Sequence, residues 1–162
     1  MRIVDFLLRH KAFARLGGVA KTLIGQMRGG VLGFGALEIA QRASDPRYLL
    51  RHATHTYSQY FEDSIIAEIF HRIGDGRRTF LEIGVSGAGE CNTRALLDRG
   101  WSGVWIDADA GECELARSNM APFIENGQLR VITARLSLVN AHEVISANMI
   151  SDDIDFLSLD ID

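Results

Sequence analysis

The segment Thr79–Glu90, reading TFLEIGVSGAGE, constrains this chain more than any other. Thr79 to Ile83 is a short run of β-branched, aromatic and aliphatic residues holding a single acid, Glu82, and it reads as a buried strand. Glycines follow at 84, 87 and 89, and a helix-like segment starts near Asn92. A strand that empties into a glycine turn and then a helix is how an α/β sheet opens a nucleotide pocket. Glycine lets the backbone come close to a ligand, and a helix N-terminus offers unpaired N–H groups.

The chain around this segment alternates strands with helices. Ser58 is placed to cap a helix reaching Arg72, with Ile65, Ile66, Ile69, Phe70 and Ile73 as its apolar stripe and Gly74 as its stop. Thr93 to Arg99 is a short helix ended by Gly100. Further strands are expected at 103–107, 129–133 and 154–159. Asp109 caps a helix running to about Met120 and Asn140 caps one running to about Asn148, each with a glutamate three residues later, Glu112 and Glu143. Asn126-Gly127 is a turn. This order predicts parallel βαβ units and a Rossmann-like, doubly wound α/β fold with a mostly parallel sheet of about four strands.

Charge divides the chain near residue 51. Residues 1–51 carry nine Lys/Arg against three Asp/Glu, a formal +6, whereas residues 52–162 carry a formal −10, together the net −4 of the whole. Residues 2–16 have apolar positions at helical spacing interrupted by arginines, a basic amphipathic pattern that suits a peripheral membrane surface or a protein partner, or packing on its own domain. The many glycines of 17–36 predict a broken helix or linker. An acidic domain without a basic stripe is not expected to grip nucleic acid. Cys91 and Cys113 have no metal-ligand spacing and read as reduced thiols of a cytoplasmic protein. Neither a membrane-spanning segment nor a leader peptide is expected, because charged residues interrupt the apolar N-terminal region.

The turn spacing Glu82-x-Gly84-x-x-Gly87-x-Gly89 differs from the G-x-G-x-x-G of a dinucleotide site. A carboxylate two residues before the first glycine suits a cationic ligand or an amino group better than a pyrophosphate. S-adenosylmethionine, with a sulfonium and an α-amino group, fits that chemistry. Asp107 lies 23 residues after Gly84 at the end of the second strand, where an acid can accept both hydroxyls of a ribose, the competing role being a cap or a solvated loop acid. Asp160 and Asp162 sit two apart at the carboxyl end of the fourth strand and so share a face. They can orient an acceptor hydroxyl or act as base, a metal-ligating role being the lesser reading.

The blocks Ser58–Asp63 (SQYFED), Phe80–Gly84 (FLEIG), Glu90–Thr93 (ECNT), Gly100–Asp109 (GWSGVWIDAD) and Asp155–Asp162 (DFLSLDID) occur in an order that resembles the class I S-adenosylmethionine-dependent methyltransferases, in particular an FkbM-like branch. The resemblance covers about residues 56–162. It implies that Glu82, Gly84, Ser86 and Gly87 face the methionine end of the cofactor. It further implies that Asp107 holds the ribose and that Ser58 and Gln59 line the pocket mouth. The acceptor it implies is a small molecule or glycan carrying an oxygen or nitrogen nucleophile. The family has glycine where this chain has Ser86. It also continues through three further strands, so a fragment or truncated reading frame is expected. Two other readings stand beside it. One is a nicotinamide-dependent oxidoreductase, which the glycine spacing opposes; the other is a truncated, non-catalytic domain that binds a partner or the cofactor only.

Overall fold

In the computed structural model, the described residues are 42–151 and 153–161. The expected helix over 2–16, the glycine-rich stretch 17–36 and Asp162 therefore lie outside them. The chain divides into two compact units, 1–51 and 52–162. In the first, Asp45 accepts hydrogen bonds from the main chain and guanidinium of Arg47 within a tight turn. Among the described residues, no helix is long and apolar enough to cross a membrane.

The second unit is a four-stranded parallel sheet flanked by helices. Its elements are helix α1 (Glu62–Ile73), strand β1 (Thr79–Ile83), helix α2 (Arg94–Leu97), strand β2 (Ser102–Asp107), helices α3 (Ala110–Asn119) and α4 (Ala121–Glu125), strand β3 (Leu129–Thr133), helix α5 (Ala141–Asn148) and strand β4 (Phe156–Leu159). The strand order is β3-β2-β1-β4, all parallel. This is the expected Rossmann-like arrangement. β1 is central and buried along its whole length, because it is covered on both faces. Phe80, Trp105, Leu129 and Val131 pack with Ile66 and Phe70 of α1, Leu96 and Leu97 of α2, Cys113 and Ala116 of α3, and Met120 just after α3. Leu81, Ile83, Val104 and Ile106 face the other way, toward Ile145 of α5. The chain thus changes face after β3 and returns beside β1. That reversal makes the carboxyl ends of β1 and β4 the topological switch point, where open α/β sheets bind ligands.

Local chemistry explains most boundaries. Asp109 caps α3 as expected, its carboxylate accepting from Gly111 N and Glu112 N at 2.8 and 3.0 Å. Gly74 stops α1 with φ +89°, a conformation that glycine adopts without strain. Trp101 and Trp105 are buried as expected, and Phe70 meets Trp101 edge-on at 4.5 Å.

Three expectations need correction. Ser58 does not begin α1; Phe61, with φ +73°, stands before it. Only Ile66 and Phe70 of the apolar stripe are buried, and Ile73 is 72% exposed. Asn140 stands at the start of α5 but turns its amide back, accepting from Ser137 N and donating to Arg135 O. Beyond these, the chain forms α4, with Pro122 in its first turn.

Candidate functional site

β1, β2 and β4 run in register, so Glu82 lies opposite Trp105 on one side and Ser158 on the other. Residues level with one another in a parallel sheet point to the same face. These three side chains therefore form one row beneath the start of α2. Glu82 is fully buried, with its Oε1 accepting from Asn92 N at 2.9 Å. Its Oε2 accepts from Thr93 N at 3.1 Å and Thr93 Oγ1 at 2.5 Å. Trp105 Nε1 donates to the same Thr93 hydroxyl at 2.7 Å, and Asn92 Nδ2 donates to Ser158 Oγ at 3.0 Å. Burial pushes the Glu82 carboxyl above its ordinary range, and the bonds from Thr93, Asn92 and Ser158 only partly offset this. The structure thus places Glu82 differently from the expectation that it faces a cofactor: its carboxylate is spent inside the protein.

The turn after β1 is tightly wound. Gly84, Ser86, Gly87 and Ala88 have φ of +87°, +37°, +63° and +70°. Ser86 and Ala88 hold a left-handed backbone without the freedom of glycine, a strain concentrated at one place. Gly84 presses on β4, since a Cβ there would stand 1.9 Å from the Asp160 carbonyl oxygen. Gly87 presses on α3, since its Cβ would stand 2.6 Å from Leu115 Cδ2 and 2.8 Å from Glu112 Oε2. Both glycines thus serve close packing within the protein. The Gly87 carbonyl accepts from Asn119 Nδ2 at 3.0 Å. Ser86 is exposed at the tip of the turn.

Asp107 stands at the end of β2, half-buried, as the sequence places it. Its Oδ2 accepts from Val85 N at 2.8 Å and its Oδ1 from Asp109 N at 2.9 Å. It therefore ties the glycine turn to the loop after β2. Asp160 is exposed at the end of β4, with its amide donating to the Ile83 carbonyl at 2.9 Å. Glu82, Gly84, Ser86, Gly87, Asp107 and Asp160 thus gather at the carboxyl edge of the sheet.

Ser58 and Gln59 lie in the segment before α1. Gln59 is exposed, but Ser58 is buried and joined to Asp63. Asp63 N donates to Ser58 Oγ at 3.1 Å, while its carboxylate accepts from Tyr57 N at 2.6 Å and Ser58 N at 3.3 Å. Ser58 is thus held within the segment before α1 by its bonds to Asp63. Burial pushes the Asp63 carboxyl up, but its hydrogen bonds outweigh this and hold it below the usual carboxylate range.

Cys91 and Cys113 are free thiols, both buried. Cys91 Sγ donates to the Val85 carbonyl at 2.9 Å, and burial, with the nearby Glu82, pushes its thiol far up. It is thereby kept protonated and unreactive. No group of His, Cys, Asp or Glu placed to hold a metal occurs among the described residues. Asn92, Thr93 and Ser158 were not legible as partners of Glu82. The only signal was the acid itself, which a buried strand tolerates when donors are at hand.

No protein-family model matches the chain. No curated protein matches it either. Among solved structures, it is similar to the O-methyltransferase from Bacillus cereus in complex with SAH, with 23% identity, a TM-score of 0.48, and coverage of 88% of this chain and 63% of that one. The chain thus spans less than two thirds of that protein's length.

Proposed function

We propose that residues 52–162 form the cofactor-binding part of a class I, S-adenosylmethionine-dependent methyltransferase of the FkbM-like branch. It transfers methyl to an oxygen or nitrogen of a small-molecule or glycan acceptor. The observation that carries this reading is Asp107, a half-exposed carboxylate at the end of β2 beside the strained turn. Each of its oxygens accepts one amide, leaving each a lone pair for a ribose hydroxyl. A second observation favours this cofactor over a dinucleotide. The amides of Asn92 and Thr93, which open the helix after the turn, are already bound to Glu82. Those two amides are therefore not free to hold a pyrophosphate.

When bound, S-adenosylmethionine supplies an electrophilic methyl on its sulfonium. The chain's own residues bind, orient and handle the acceptor proton. Asp107 fixes the ribose end, while Ser86 and Gln59 border the cofactor from the exposed side. Gly84 and Gly87 keep the turn low over the sheet edge. Orientation of the two reactants supplies most of what an in-line transfer needs. Asp160, with Asp162, takes the proton when the acceptor is a hydroxyl. The basic arm, residues 1–51, docks on an anionic membrane or an acidic partner in the cytoplasm. Loss of co-sedimentation with anionic vesicles on deleting residues 2–16 tests the membrane form of that contact.

Titration calorimetry tests the cofactor. The intact chain binds S-adenosylmethionine and its demethylated product, Asp107→Ala binds neither, and NADH gives no heat. Absence of S-adenosylmethionine binding by the unaltered chain overturns the reading.

A further inference from the structure

Ahead of the site, three elements meet at one arginine. Arg94 is the first residue of α2. Its guanidinium carbon lies 4.2 Å from the centre of the Tyr57 ring, and its Nη1 donates to the Ala88 carbonyl at 3.0 Å. Tyr57 is fixed in turn from two sides. Its hydroxyl donates to Asp98 Oδ2 at 3.0 Å, one turn along from Arg94, and its amide donates to the buried Asp63 at 2.6 Å. Ala88 closes the strained turn, holding φ +70° without the freedom of glycine, with its amide bonded to the Val85 carbonyl at 2.8 Å. The guanidinium thus grips the turn's main chain at Ala88 while standing over the Tyr57 ring of the segment before α1. A planar, always charged guanidinium suits both contacts at once, one face on the ring and an edge N–H on the carbonyl.

We propose that Arg94 is the positioning residue of the glycine turn, holding its left-handed backbone at Ala88 and coupling that geometry to the Tyr57–Asp63 segment at the pocket mouth. Loosening either end of the strut loosens the turn. A cofactor seated on the turn is therefore felt at Tyr57. Its effect on affinity rests on the cofactor reading above; its effect on the turn itself does not.

The test has a ligand-free arm and a ligand arm. In the ligand-free chain, amide hydrogen exchange is followed for residues 85–90 in the unaltered protein, Arg94→Met and Arg94→Lys. Arg94→Met is expected to speed exchange at Ala88 and Gly89 by about tenfold, as expected for one lost charge-assisted bond, with the strands unchanged. Arg94→Lys, which keeps the charge but not the plane, falls between, and serves alone if Arg94→Met does not fold. In the ligand arm, the dissociation constant for S-adenosylhomocysteine is measured for Arg94→Met, Tyr57→Leu and the double variant. Each single change weakens binding, and the double variant is no weaker than Arg94→Met, as coupling through one strut requires. Unchanged exchange at 85–90, a uniform rise across the strands, or additive losses overturns the proposal. If the unaltered chain does not bind S-adenosylhomocysteine, the cofactor reading fails, and the exchange arm still decides the strut.

Discussion

Thr93 grips Glu82 twice, through its amide at 3.1 Å and its hydroxyl at 2.5 Å, and both bonds fall on the same carboxylate oxygen. With Asn92 N on the other oxygen, the first residues ahead of α2 are moored to the middle of the sheet. Glu82 is a peg for the turn and the helix that follows it. Asp107, the acid proposed to hold the ribose, lies at the end of the neighbouring strand.

Replacing Glu82 by alanine leaves two amides and a hydroxyl in a dry interior. At about 1–3 kcal/mol for each buried group left unsatisfied, the expected loss of unfolding free energy is about 3 kcal/mol or more. Urea denaturation measures it. A loss below about 1 kcal/mol, the net worth of a single ordinary hydrogen bond, contradicts the peg.

Glu82 also sets a pH dependence. Its folded-state pKa lies above the ordinary value, chiefly through burial. A raised pKa means that the folded state holds the proton more tightly. The group's contribution is therefore full below its ordinary pKa of about 4.3 and is lost as pH rises through the raised one. Glu82→Gln cannot titrate. The stability difference, unaltered chain minus Glu82→Gln, is expected to fall as pH rises above the ordinary glutamate value of about 4.3, and a flat difference refutes the assignment.

Asp63 has the opposite sign. Hydrogen bonds from Tyr57, Ser58 and Ser64 outweigh burial and lower its pKa. Its contribution is present above the ordinary aspartate value of about 3.9 and is lost as pH falls through the lowered one. Asp63→Asn should flatten the acid limb of the stability profile. An acid limb as steep in the variant as in the unaltered chain assigns that limb to other carboxylates.

Gly84 and Gly100 separate two costs of adding a methyl group. Both have positive φ, +87° and +79°, but Gly100 has open space where a Cβ would stand, whereas Gly84 faces the Asp160 carbonyl at 1.9 Å. Gly100→Ala is expected to cost about 1 kcal/mol, the price of a left-handed backbone alone. Gly84→Ala should cost more than twice that, because β4 must move away from the turn. Equal costs in chemical denaturation would show that the Gly84–Asp160 approach does not constrain the edge.

Much of this fold is written locally. The strands are short β-branched and aliphatic runs buried by helices on both faces, and Asp109 caps its helix through its immediate neighbours. Other features depend on distant partners. Glu82 reads as ligand-facing until Asn92, Thr93 and Ser158 are seen to close on it. Ser58 reads as a cap, yet its partner Asp63 lies five residues on, past a left-handed Phe61 that no propensity foretells. Asn140 had a nearer competitor, because Ser137 and Arg135 satisfy its amide before the helix does. The place of Asp107 at the end of β2 was legible, because position follows from the order of elements.

The most direct test of the central claim is a crystal structure of the chain grown with S-adenosylhomocysteine. The account predicts the ribose hydroxyls within hydrogen-bond distance of Asp107, the turn at 84–88 beneath the amino-acid end, and Glu82 still bound to Asn92 and Thr93 without touching the ligand. A ligand seated away from Asp107, or Glu82 swung out to meet it, would contradict the account.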